Sequence, residues 1–168
     1  MNTLKLKDSA PLFELPEANG GTYSLEKDLN ERKGWRFIVF FRGTWCPACK
    51  QDLTEIEESK SYFDGKDVHF TAISTDTLEA SAAYKKENNF SFPILAEAPL
   101  DLLDQYGVFY HGEDAPYEDH GTHGEAAYFL LDETGTILYQ QKQTSPYGRP
   151  TAMELRKIVQ YIQKNLKK

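Results

Sequence analysis

The sequence predicts an α/β fold in which a central sheet lies between two layers of helices, and three observations carry that prediction. Phe37-Ile-Val-Phe-Phe41 is continuously apolar and rich in aromatic and β-branched residues, the pattern of a strand covered on both faces. From Pro47 the apolar positions change period, with Leu53, Ile56 and Phe63 at helical spacing among Gln, Asp, Glu and Lys. The strand candidate "DVHFTAIST" and the helix candidate "DTLEASAAYKKENN" then repeat the alternation. A β-α-β-α order of this kind makes a parallel strand pair with crossover helices on the sheet faces.

The remaining elements follow in order. "DSAPLFELPEANGGTYSLEKDL" alternates apolar and polar residues on either side of Gly20-Gly21 and predicts an N-terminal hairpin. The first helix is expected to run from Pro47 through Phe63, and Asp76 with Glu79 makes a capping-box-like start for the second. "FPILAE" reads as a short extended piece and "PLDLLDQYG" as a short helix that Gly107 can end. Residues 110–125 read as one long loop. "AAYFLLDETGTILYQQ" is a hairpin around Asp132-Glu-Thr-Gly135. Thr151 and Glu154 form a capping box for a last helix whose apolar stripe is Leu155, Ile158, Val159, Ile162 and Leu166. With no internal repeat and 168 residues, one domain over 1–168 is expected.

Composition narrows the function. A net charge of -7 argues against nucleic acid as partner, because phosphate affinity comes from clustered Lys and Arg. No apolar run reaches the roughly 18 residues of a membrane helix, and "MNTLKLKDSAPLFELP" lacks the apolar core of a secretion signal. The expected compartment is the cytoplasm, without membrane attachment. Two thiols kept reduced there are seldom a structural staple, so the spacing of the chain's two cysteines, Cys46 and Cys49, points to reactivity or to metal binding.

Local chemistry favours reactivity. Cys46 falls at the N-cap or first turn of the helix, Pro47 at the first helical position, and Cys49 one turn on. Orphan N–H groups and the helix dipole favour a thiolate at Cys46 and depress its pKa, and Cys46 is expected to face outward alone. Cys49 stands within disulfide reach of it, making a two-electron switch. Two other readings stay open. The pair is half of a zinc site only if His111, His120 or His123 complete it, and free cysteines are most often buried small hydrophobes.

These residues carry a family resemblance. "WCPAC" after an apolar strand resembles a thioredoxin-fold redox motif. "APLFELPEANGGTYSLEKDL" is similar to the N-terminal hairpin of the peroxiredoxin family, which includes the alkyl hydroperoxide reductases and thiol-specific antioxidants, and "AAYFLLDETGTILY" to its late hairpin. With the "GRPTAMELRKIV" ending the likeness covers nearly the whole chain, and "FFRGTWCPAC" is nearest to a branch with Cys-Pro-x-Cys after an Arg-Gly pair. The resemblance implies a thioredoxin-like three-layer α/β/α sandwich with an N-terminal β-hairpin extension, and maps the family's first cysteine onto Cys46. Departures accompany it. The family's Pro seven residues and Thr three residues before that cysteine are Val39 and Gly43 here, with Thr44 one place late, and Ala126 stands near a later family arginine and a thioredoxin proline.

By role, Arg42 at the end of the central strand is placed to lower the Cys46 pKa and polarise a peroxide oxygen. Thr44 is expected to donate its hydroxyl to the thiolate or to cap the turn, and Arg149 in "YGRP" to approach the site. Trp45 and Pro47 are expected to offer packing or a docking surface for a partner protein. "YHGEDAPYEDHGTHGE" holds three of the four histidines, a metal loop or pH-sensitive lid if it is not a solvated surface loop.

The resulting expectation is a thiol-dependent oxidoreductase. Cys46 reduces a hydroperoxide, condenses with Cys49, and is recycled by a thioredoxin-like reductant, with no metal or organic cofactor. The alternative substrate is a protein disulfide, and a third reading is a non-enzymatic zinc-binding or redox-sensing module. A homodimer is compatible with all three.

Overall fold

The computed structural model describes residues 3–112, 116 and 120–167. Its centre is the apolar run, which forms β3 (Trp35–Phe40), buried along all but its first residue. β4 (Val68–Ile73) pairs with it in parallel, from Trp35 opposite Val68 to Phe40 opposite Ile73. β5 (Ile94–Leu95) continues the parallel side. On the other side β8 (Ala127–Leu131) runs antiparallel to β3 and turns into β9 (Ile137–Lys142), giving the order β5-β4-β3-β8-β9.

Alternation along β3 divides the core. Phe37 and Val39 face one side with α2 (Pro47–Glu58), α3 (Lys60–Gly65), α4 (Leu78–Asn88) and α6 (Ala152–Asn165), which bury Leu53, Ile56, Phe63, Tyr84, Leu155 and Val159 against them. Ile38 and Phe40 face the other with α1 (Leu25–Glu31) and α5 (Leu100–Tyr106), which supply Leu25, Leu102, Leu103 and Tyr106. Each fully buried Leu, Ile or Phe contributes about 1.5–3 kcal/mol. A sheet with apolar side chains on both faces has to be covered twice, and the three-layer α/β/α sandwich follows.

Several expectations need correction. The N-terminal hairpin is β1 (Glu14–Pro16) with β2 (Thr22–Ser24), but the end of that stretch is helical. Ser24 accepts the Lys27 N–H at 3.2 Å and starts α1, whose Leu25 is buried in the core. The helix after β3 stops at Ser59, so Phe63 belongs to the separate turn α3. Thr77, not Asp76, caps α4 through the Ala80 N–H. Leu166 lies past the end of α6 and is exposed, so the stripe ends at Ile162. The expected long loop is ordered at both ends: β6 (Tyr110–His111) pairs with β7 (His123–Gly124), His111 opposite His123. Residues 113–115 and 117–119 of that stretch lie outside the described residues. Among the described residues no helix is long and apolar enough to cross a membrane.

Candidate active site

The site begins where β3 runs out. Phe41 still donates to the Ile73 carbonyl at 2.9 Å; the chain then turns through Arg42, Gly43, Thr44 and Trp45 into α2. A Cβ at position 43 would stand 2.3 Å from the Trp45 ring nitrogen, so a larger residue there would displace that ring. The Thr44 N–H donates to Asp76 Oδ2 at 2.8 Å, tying the turn to the loop after β4. Cys46 is the N-cap of α2, Pro47 its first residue, and the Cys46 sulfur accepts the Cys49 N–H at 3.2 Å. A thiolate replaces the usual capping oxygen at the positive end of the helix.

Both cysteines are reduced and both are buried, Cys46 1% exposed and Cys49 0%. The expectation that Cys46 faces outward is therefore corrected. Trp45, Arg42 and the turn fold over it. Their pKa values separate in opposite directions. Cys46 is lowered to about 5, chiefly by the Cys49 thiol donating to its sulfur; burial opposes this, while the Cys49 N–H, Arg42 and Arg149 assist it. Cys49 is raised far above the ordinary thiol range by burial first and by its proton shared with Cys46. One sulfur is a nucleophile at neutral pH and its neighbour a proton-bearing thiol.

Two guanidinium groups meet the Cys46 sulfur, Arg42 Nη1 at 3.6 Å and Arg149 Nη2 at 3.7 Å. Arg149, half-buried, is anchored by its Nε–H to the Pro146 carbonyl at 2.8 Å. Arg42 is buried; its Nε lies 2.9 Å from Glu125 Oε1 and its guanidinium 4.9 Å from the centre of the Trp45 ring. Trp45 is half-buried, stacked on His120 at 3.7 Å and edge-on to His123 at 4.9 Å. Its ring packs on both histidines and stays partly accessible, and Pro47 is exposed. Thr44 contributes its backbone: among the described residues no hydrogen bond joins its hydroxyl to Cys46.

Sequence reasoning missed the two buried carboxylates of the site, Glu125 and Asp52, and Tyr128, which pairs with Asp52. Glu125 is fully buried, with its Oε2 3.0 Å from His111 Nε2 and 3.7 Å from His123 Nε2. The stretch from His111 to His123 is thus packed onto the site at both ends, and the solvated-loop reading is corrected for those residues. Asp52, buried one turn beyond Cys49, accepts a hydrogen bond from the Tyr128 hydroxyl across the sheet face, and burial raises it to about 6. Asp52 had a legible signal, a carboxylate on the apolar stripe that also holds Cys49, Leu53 and Ile56. Glu125 had none, because Arg42 is distant in the chain.

Comparison with known proteins agrees with this geometry. Residues 6–140 match the sequence model of the AhpC/TSA family. A putative peroxiredoxin of Mycobacterium tuberculosis is 27% identical over 142 residues, 84% of this chain and 87% of that protein. The peroxiredoxin Bcp of Escherichia coli is 26% identical over 138 residues, 82% and 85% of the two chains. The crystal structure of peroxidoxin BcpB from M. tuberculosis superposes with a TM-score of 0.76 at 20% identity, covering 98% of this chain and 99% of that one. A thioredoxin-like sheet, a reduced Cys-Pro-x-Cys at a helix start and a matched span of this length lead to one conclusion: the chain belongs to the AhpC/TSA family, as a peroxiredoxin-like oxidoreductase.

Proposed function

We propose that the chain is a two-cysteine thiol peroxidase in which Cys46 is the peroxidatic residue and Cys49 the resolving one. The observation that supports this best is the buried Cys46 sulfur at the helix N-terminus, met by two guanidinium groups and with its pKa lowered to about 5 chiefly by the Cys49 thiol. The thiolate attacks one oxygen of a hydroperoxide, the O–O bond breaks, and the leaving alkoxide or hydroxide takes a proton. Arg42 and Arg149 stabilise the charge that moves from sulfur to that oxygen. Cys46 is then a sulfenic acid and no longer holds the Cys49 proton. Cys49 attacks its sulfur, water leaves, and an intramolecular disulfide forms. A thioredoxin-like dithiol returns two electrons and two protons, with no metal or organic cofactor. All the groups used lie in one chain, so the reaction needs a single domain and no second copy, and a reducing compartment such as the cytoplasm suits it.

A protein disulfide is the other substrate class for a Cys-x-x-C pair. Burial of Cys46 weighs against it, since a bulky disulfide has to touch the sulfur while a peroxide is as small as a few atoms. The deciding experiment pairs the two assays on purified protein: consumption of hydrogen peroxide with thioredoxin as reductant, and reduction of insulin disulfides. Peroxide turnover without insulin reduction is expected; the reverse overturns the proposal. In Cys49→Ser, one equivalent of peroxide should leave a Cys46 sulfenic acid by mass spectrometry, whereas the parent should carry a Cys46–Cys49 disulfide.

A further inference from the structure

Glu125 has no part in the steps above, yet it is the most completely buried carboxylate near them. A buried carboxylate persists only where cations or donors meet it. Here Arg42 Nε lies 2.9 Å from Oε1, and Oε2 faces His111 Nε2 at 3.0 Å and His123 Nε2 at 3.7 Å. The backbone at Glu125 is fixed as well, its N–H donating to the Phe109 carbonyl at 2.8 Å. The carboxylate therefore sits between the β6–β7 pair and the end of β3, anchored on both sides.

Arg42 stands between two anions, in ion-pair contact with Glu125 and donating to Cys46. Its Nε faces Glu125 while its Nη1 faces the Cys46 sulfur at 3.6 Å. A guanidinium is planar and rigid, so holding one edge sets the direction of the others. The Trp45 ring, 4.9 Å from the same group, limits rotation out of that plane. We infer that Glu125 is a positioning residue for the peroxide reaction: it aims Arg42 at the reacting sulfur, and the β6–β7 pair with His111 and His123 is the frame that holds it.

The inference rests on the peroxidase reading, and it competes with a simpler role. If Glu125 only neutralised Arg42, removing it would strengthen the positive field at Cys46 and speed the reaction. If it positions Arg42, removing it slows the reaction, so the two roles differ in sign. The test measures the second-order rate of Cys46 with hydrogen peroxide and, separately, with iodoacetamide, which needs the thiolate but no donor at a departing oxygen. In Glu125→Leu the peroxide rate should fall about tenfold or more while alkylation falls about twofold at most. Glu125→Gln keeps an oxygen for Arg42 Nε and should recover most of the loss. A peroxide rate that rises, stays within about twofold of the parent, or falls in parallel with alkylation overturns the inference.

Because Glu125→Leu leaves Arg42 buried without its counter-charge, Arg42→Met and the double variant Arg42→Met/Glu125→Leu complete the set. A residue that acts through Arg42 should add nothing once Arg42 is gone, so the two should react with peroxide at rates within about twofold of each other. A double variant about tenfold slower than Arg42→Met overturns the inference. A parent that fails to reduce peroxide defeats the peroxidase reading instead, and is distinguished by its own rate.

Discussion

The two ends of the central strand each bury an arginine against a carboxylate, and only one of them builds a reactive site. At the N-terminal end, Arg36 is fully buried; its Nε lies 3.1 Å from Asp28 Oδ2 and its Nη2–H donates to the Arg32 carbonyl at 2.9 Å. Asp28 also takes Arg32 Nε at 2.9 Å and the Tyr23 hydroxyl at 2.6 Å. These contacts join only the β2–α1 segment and the start of the strand, and Arg36 Nη1 is buried without a hydrogen-bond partner among the described residues. At the C-terminal end, Arg42 pairs with Glu125 and still directs Nη1 at a sulfur that is itself ionised. A buried ion pair is thus no sign of function by itself. What distinguishes the second is a donor that meets a nucleophile, at the carboxyl end of the central strand where a helix N-terminus converges on it.

The most severe way to break the comparison is to remove the nucleophile. Cys46→Ser should lower peroxide consumption by about a thousandfold or more; appreciable turnover through Cys49 alone would move the chemistry off the helix terminus. Next come the two arginines. Arg42→Met should slow peroxide oxidation by about 10- to 100-fold, and the thiolate absorbance near 240 nm should titrate above the parental midpoint of about 5. Arg36→Met should leave that titration in place and lower the melting temperature, at a cost of about 1–3 kcal/mol for leaving Asp28 without its buried guanidinium. If Arg36→Met moved the thiolate titration as much as Arg42→Met, the two ends would be electrostatically equivalent and the contrast would fail.

A smaller effect sharpens the picture within the site. Arg149 meets the sulfur from a half-buried position open to solvent screening, so Arg149→Met should slow peroxide oxidation by only about three- to tenfold. A loss as large as that of Arg42→Met would make the pair of guanidiniums a single clamp.

The smallest expected effect is on stability against pH. Cys46 has a depressed pKa in the folded state, about 5 against 9.0 for a free thiol. Its contribution is fully present above the unfolded value and is lost as pH falls from there through about 5. The melting-temperature gap between the reduced parent and Cys46→Ser should therefore narrow from pH 9 toward pH 5. Asp52, raised to about 6 by burial, acts in the opposite sense, its contribution present below its unfolded pKa and lost as pH rises through about 6. Both proteins keep Asp52, on which Cys46 is the smallest of the influences, so most of its contribution cancels in the gap. A gap that widens on acidification contradicts the assignment.

Much of this was legible before any coordinates. The apolar run at Phe37–Phe41, the change of period at Pro47, the turn at Asp132–Gly135 and the cap at Thr151 are local signals. Backbone sterics and side-chain alternation act over a few residues and decide strands, helices and turns there. Cys46 at a helix start before Pro47, with Cys49 a turn later, is of the same kind, and so is the approach of Arg42, four residues from the sulfur it meets. Where local reading failed, a competing local signal or a distant partner had taken over. Ser24 turned the end of the hairpin stretch into α1, and His111 and His123 found a buried carboxylate to pack on.

By itself, then, the sequence determined the layered α/β architecture and which thiol stands at the positive end of a helix. Only the tertiary structure decided that this thiol is buried, that Arg149 reaches it from 103 residues away, and that Glu125 holds Arg42 in place. The physical reason is range. Hydrophobic period and helix capping depend on neighbours along the chain, whereas burial, the dielectric around a charge and the pairing of a carboxylate with a guanidinium depend on which distant segments the closed sheet brings within a few ångströms.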